Sequence, residues 1–386
     1  MKIYAIPLLF ILLLTACGAP VVPTLQTQLT VAESMNRTDT SGFKKAIEPR
    51  TFSFPADHGP HDGYAVEWWY FTGNLTASDG RELGYQFTLF RSAIVPPTAD
   101  TKDPSAWRSD AAFMGHLAMT DVTGERFFAY ERFSREAIGL AGAQAAPFRV
   151  WLDDWQVTSD DPAVQTMRLM ASEGEIALDL TLDSSQPPLL QGDAGLSQKS
   201  AGAGNASYYY SMTRMPTTGQ MTIAGERYTV TGNSWMDREW STSALADDQE
   251  GWDWFALHFA DGSDMMIYHL RRTDGTSDPY SAGIYRRADG SVTHLKSADI
   301  MFVPQGSWQS PHTGGVYPAA WQIQIPPLDL TMTVTPAIAD QELQVTVRYW
   351  EGAVRVQGEM AGTPVTGVGY LEMTGYADRR VSAIGE

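Results

Sequence analysis

Apolar and polar residues alternate along Ile176-Ala-Leu-Asp-Leu-Thr-Leu182 and again along Gln344-Val-Thr-Val-Arg-Tyr-Trp350. A period of two marks a half-buried β-strand. No stretch carries a sustained helical period. Two aromatic runs predict hairpins. Glu67–Leu75 (EWWYFTGNL) leads through Asp79-Gly80 to Gly84–Arg91 (GYQFTLFR), and Gly251–Phe259 (GWDWFALHF) leads through Asp261-Gly262 to Met265–Arg272 (MMIYHLRR). Asp-Gly between such runs is a strong hairpin signal. The correspondence continues in order. Gly115–Gly124 parallels Ala282–Gly290, Trp155-Gln-Val parallels Trp321-Gln-Ile, and Leu178–Leu182 parallels Leu328–Met332. Last, Val230–Asp237 (VTGNSWMD) parallels Val365–Glu372 (VTGVGYLE). One ordered set of matches predicts an internal duplication. Many short strands joined by turns predict an all-β sandwich or barrel for each copy.

Composition agrees. The 386 residues include 12 Trp, 16 Tyr, 15 Phe and 34 Gly, a balance that suits pleated faces and tight turns. The net charge of -18 argues against nucleic-acid binding. The first residues change the picture more. Lys2 precedes an apolar run from Ile6 to Leu14, which ends in Leu-Thr-Ala-Cys17-Gly. This resembles a bacterial lipoprotein signal and implies cleavage before Cys17, a lipid on its sulfur, and a place in the cell envelope. Gly18 in place of Asp favours the outer membrane over the inner. Cys17 is the only cysteine, so disulfides and thiolate chemistry are not expected in the folded part. The expected organisation is a signal peptide (1–16), a flexible tether (17–49), and two domains at 50–237 and 238–386.

"EWWYFTGNL", "GYQFTLFR", "SWMDREW" and "GYLEMTGY" together are similar to the family of carotenoid 1,2-hydratases and AttH-like proteins. The resemblance runs from about Phe52 to the C-terminal region. It implies two lipocalin-like antiparallel β-barrels, a hydrophobic lipid- or polyene-like ligand, and no cofactor. It leaves two expectations for function: an envelope protein that carries such a ligand, or a hydratase that adds water to a carbon–carbon double bond. In the hydratases the segment around residue 238 tends to read Asp-His-Glu-aromatic. Arg238 stands where that His would be, and a guanidinium does not shuttle protons near neutral pH.

The residues themselves nominate a site. Strand alternation puts Trp235, Asp237 and Glu239 on one face, with Met236, Arg238 and Trp240 on the other. A carboxylic acid against an indole in a dry cavity can protonate an alkene, and a second carboxylate can activate water. Glu67, next to Trp68-Trp69-Tyr70, and Asp253, between Trp252 and Trp254, are further candidates, with Asp253 at the matching place in the second copy. Trp69, Tyr70, Trp235, Trp240, Trp252, Trp254, His258 and Tyr268 are the expected ligand-binding residues. A bland alternative holds throughout: Arg238 pairs with an acid and the aromatics fill a core. The seven His do not suggest a metal site, and no Gly-x-Ser-x-Gly elbow suggests a hydrolase.

Overall fold

The computed structural model describes residues 29–30, 39–97, 105–184, 186–243 and 245–377. The expected signal segment, Cys17 and most of the expected tether lie outside them. The described chain is all-β. Two large antiparallel sheets each curl around an apolar core.

The first sheet runs Arg126–Arg135, Ala111–Asp121, Glu82–Ala93, Val66–Ala77, Glu226–Ser241, Ala206–Ile223, Ile176–Asp183 and on to Ala141–Ala145. Its two ends approach one another, so it nearly closes as a barrel. The second sheet runs Val292–Lys296, Ala282–Arg286, Asp264–Arg272, Gln249–Phe259, Thr363–Met373, Val347–Met360, Leu330–Pro336, Val316–Ile325 and Met301–Gln309. In each sheet the opening strand pairs with its hairpin partner on one side and with the closing strand on the other. All the matched segments but one sit at equivalent places in the two strand orders; the Trp155 strand lies one place farther from the closing strand than the Trp321 strand, whose equivalent is Thr166–Glu173.

Two expected boundaries shift. The strand Glu226–Ser241 continues through 237/238 to Ser241, because Arg238 and Trp240 face the first core. The crossing between sheets therefore falls at 242–248. The tether was expected to reach residue 49, but Ala46 is fully buried in the first core. The Lys44 backbone N–H donates to the Gly63 carbonyl at 2.8 Å, and the Lys44 carbonyl accepts from the Thr242 hydroxyl at 2.5 Å.

Strand alternation sorts most of the buried apolar side chains into three groups. Trp69, Phe71, Phe87, Trp155, Met236 and Trp240 fill the interior of the first sheet. Phe255, Leu257, Ile267, Trp321 and Trp350 fill the second. Tyr70, Tyr209, Trp235, Trp254, Tyr268 and Tyr370 face the other way and form a third cluster, contributed by both sheets. That cluster joins the two halves. Tyr70 and Trp254 meet edge to face at 5.1 Å, a favoured geometry for two quadrupolar rings.

Candidate active site

The third cluster is not solid. It encloses a cavity of about 350 Å³, walled by Trp68, Tyr70 and Phe90 on one side and Trp252, Trp254, Tyr268 and Leu270 on the other. Small-molecule sites begin near this size. Into this largely apolar space project Asp237, Glu239, Glu351 and Glu372, together with Lys199 and His116, while Glu67 and Arg91 line it as an ion pair.

The register places them. On the first closing strand Asp237 pairs with Tyr70 on one side and Ser211 on the other. On the second, Glu372 pairs with Trp254 and Glu351. The same positions of equivalent strands therefore face the same cavity from opposite sides. Where the first sheet offers a hydroxyl beside its acid, the second offers another acid.

Asp237 is fixed by three donors: the Ser211 hydroxyl at 2.5 Å, the Tyr209 hydroxyl at 2.6 Å and the Trp235 indole N–H at 2.7 Å. Burial is the largest influence on its carboxyl and pushes it up. The three donors oppose that, the Glu239 charge reinforces it, and the result is about 7. Glu372 accepts from the Trp252 indole at 3.0 Å. Burial, against this one donor, and the nearby charges of Asp237 and Glu239 push it up to about 8. Glu351 accepts from the Tyr70 hydroxyl at 2.5 Å through Oε1, and its Oε2 has no hydrogen-bond partner. Burial, and then the facing Glu372, hold its carboxyl well above the usual range. Glu239 pairs with Lys199 at 3.3 Å, and the Lys199 ammonium lies 4.7 Å from the Tyr268 ring centroid. Burial works against that ammonium, but the charges of Glu239 and Tyr268 outweigh it and raise its pKa. His116 meets the Tyr349 hydroxyl through Nδ1 at 2.7 Å, and burial lowers its pKa to about 3, so the ring is neutral.

The structure therefore brings together Asp237, Glu239, Tyr70, Trp252, Trp254 and Tyr268 at the cavity. Trp235 stands behind Asp237 as a donor. It leaves others elsewhere. Trp69 and Trp240 lie inside the first sheet. His258 is buried against the Thr213 carbonyl at 2.5 Å and does not line the cavity. Glu67 reaches the cavity edge, but its oxygens are taken by Arg238, Arg91 and the His61 backbone N–H. Burial raises its carboxyl, and the opposing charges, Arg238 first, hold it down to about 2. It is a counter-ion, not a proton carrier. Asp253 is likewise engaged by Arg271 at 2.6 Å, the Tyr376 hydroxyl at 3.0 Å and His269 at 3.1 Å. The sequence puts Asp253 at the place matching Glu67, and the register corrects this. Equating Tyr70 with Trp254 makes Asp253 the counterpart of Trp69, because both side chains point into their own core. Arg238 also faces that interior, with its guanidinium 3.9 Å from the Trp69 ring centroid. Its identity therefore bears on the first core rather than on the cavity.

Lys199, Glu351, Glu372 and Ser211 were not nominated as site residues. Glu372 was visible as the echo of Asp237. Glu351 lies one residue past the alternating run that ends at Trp350. Lys199 sits on no aromatic strand and carried no signal.

An all-β protein of two equivalent sheets, with an acid-lined apolar cavity where they meet, is the class these features define. The AttH-like family profile matches residues 45–376, and the chain belongs to that family. An AttH protein of Nitrosomonas europaea is 32% identical, with a TM-score of 0.76 over 86% of this chain and 100% of that one. Kievitone hydratase of Nectria haematococca shares the fold at 17% identity, with a TM-score of 0.65 over 86% of this chain and 98% of that one. The dehydratase asqC of Emericella nidulans is 26% identical over 221 residues, which span 54% of this chain and 61% of that relative.

Proposed function

We propose that the cavity catalyses the addition or removal of water on a neutral, largely apolar substrate, with Asp237 as the proton carrier. The observation that carries this reading is the setting of Asp237. It is a cavity-facing acid, oriented by three donors and balanced near neutrality. Such a group is populated in both protonation states near pH 7, as a reversible proton transfer requires. In elimination its carboxylate removes a proton from carbon while hydroxide leaves with a second proton as water. In addition its acid form protonates an alkene carbon and water attacks the neighbouring carbon. The walls are mostly apolar, Glu239 is neutralised by Lys199, and the other three carboxyls are held up by burial, a setting for a neutral substrate. The cavity volume suits a compact molecule or one end of a longer one.

The kinship with a dehydratase supports this reading over that of a ligand carrier, the other expectation from the sequence. A panel of neutral tertiary, benzylic and β-hydroxy alcohols, scored by mass spectrometry for loss of one water, tests it. Turnover by the native protein and its loss in Asp237→Asn, with binding retained, is the expected result. A carrier would bind equally well in both forms and convert nothing. Lipid attachment at Cys17 and an envelope location remain part of the proposal. Labelled palmitate should enter the native chain and not Cys17→Ala.

A further inference from the structure

The two copies differ chemically at a pair of equivalent positions beside the cavity acids. Ser211 faces Asp237 across neighbouring strands, and Glu351 faces Glu372. Directly opposed residues on antiparallel strands have Cβ atoms about 5 Å apart. Both glutamates line the cavity; Glu351 is almost fully buried and Glu372 is partly buried. Glu351 accepts from the Tyr70 hydroxyl, with the Tyr349 hydroxyl also facing it, and Glu372 accepts from the Trp252 indole. Oε2 of Glu351 is buried without a partner. Two carboxylates so placed cannot both be ionised at low cost, so the pair holds on to protons as a unit.

We propose that Glu351 and Glu372 form a second proton-carrying centre that acts on the substrate's oxygen, across the cavity from Asp237, which acts on its carbon. This rests on the water-addition or water-removal reading above. In elimination, ionised Asp237 takes the carbon-bound proton and the C–H electrons form the new C=C bond. The C–O bond breaks, and the doubly protonated pair gives one proton to the departing hydroxyl, which leaves as water. The pair keeps its other proton, so it never carries two charges. The proton on Asp237 then returns to the pair through solvent. Addition is the reverse: protonated Asp237 gives its proton to carbon, and the singly protonated pair takes one from the attacking water. Each sheet thus supplies one half of the chemistry. The other ionisable groups facing the pair are Tyr70, Tyr349, Tyr370, Asp237 and Glu239, with Lys199 neutralising Glu239.

The first test needs no substrate. Infrared spectra of the whole protein at about pH 7.5, between the values set for Asp237 and Glu372, should show the carbonyl band of a protonated carboxyl. It should persist in Asp237→Asn, and in that background weaken with Glu351→Gln or Glu372→Gln and vanish with both. Absence of the band in the native protein, or its survival when all three residues are changed, overturns the proposal. If one single variant fails to fold, the native spectrum and the other variant still decide. The second test uses the aldol adduct of benzaldehyde and acetone, whose loss of water gives the absorbing enone benzylideneacetone. The double variant, Glu351→Gln with Glu372→Gln, should lose about 100-fold in turnover while binding benzylideneacetone as the native protein does. Its rate should also lose the alkaline limb that the native pH profile shows. If elimination depends on Asp237 but is unchanged in the double variant, the second centre is wrong and the first reading stands. If neither this adduct nor any alcohol of the panel loses water, both fail together.

Discussion

Single residues here are decided by which face of a strand they occupy. Asp237 and Arg238 are neighbours in sequence, yet one looks into the cavity and the other into a dry core. Arg238 is wholly buried, its guanidinium over Trp69 and paired with the equally buried Glu67. Removing one member of a buried ion pair strands the other charge. Arg238→Ala should therefore cost about 3–5 kcal/mol of stability, read from a urea melt, without changing the groups that face the cavity. A change within the range of exposed ion pairs would contradict the placement. The His expected at this position in hydratases would sit in the same interior, so the Arg bears on packing rather than on the cavity's chemistry.

Among elements, the closeness of the two sheets shapes the site. Gly84 lies in the strand Glu82–Ala93, and a Cβ there would stand 2.6 Å from the Tyr370 hydroxyl and 3.0 Å from Ala353. Its requirement is space against the other sheet, not an unusual backbone angle. Hydrogen bonds cross at the same interface, including Trp254 to the Tyr209 hydroxyl at 3.2 Å and Thr213 to Asp264 at 2.8 Å. Gly84→Leu should force the sheets apart, expose the cavity tryptophans to a quencher such as acrylamide, and weaken benzylideneacetone binding at least tenfold. Unchanged quenching and affinity would show that the interface has slack. Each sheet should keep its own secondary structure, because its core lies on its other face.

At the scale of the molecule, the buried acids make stability depend on pH in an unusual direction. Asp237 and Glu372 bind protons more tightly when folded, at about 7 and about 8, than in the unfolded chain, where their ordinary values are 3.8 and 4.5. The folded state therefore holds protons that the unfolded state has released, and stability falls as pH rises from about 4 to about 8. Glu67 works the other way: held down to about 2, its contribution is present above about 4.5 and lost as pH falls through about 2. The denaturation midpoint should thus decline between about pH 5 and pH 8, and Glu372→Gln should flatten that slope. A midpoint flat or rising over that window would contradict the assigned environments.

Much of this molecule was legible in the sequence, because strand alternation and the Asp-Gly turns are local signals. They carried the all-β class, the duplication and the common face of Asp237 and Glu239. The cavity was not legible, since it depends on how two sheets pack against each other. Glu351 and Lys199 reach it through contacts between residues far apart in the chain. Glu67 and Asp253 looked alike as acids among aromatics, and only the folded structure shows that both are engaged by arginines.

The central claim, that Asp237 moves the proton as water is added or lost, is met most directly by comparing native protein and Asp237→Asn on the aldol adduct of benzaldehyde and acetone at equal occupancy. The account predicts steady formation of benzylideneacetone by the native protein and a loss of at least about 100-fold in the variant, with binding unchanged. Equal rates in the two proteins would contradict it.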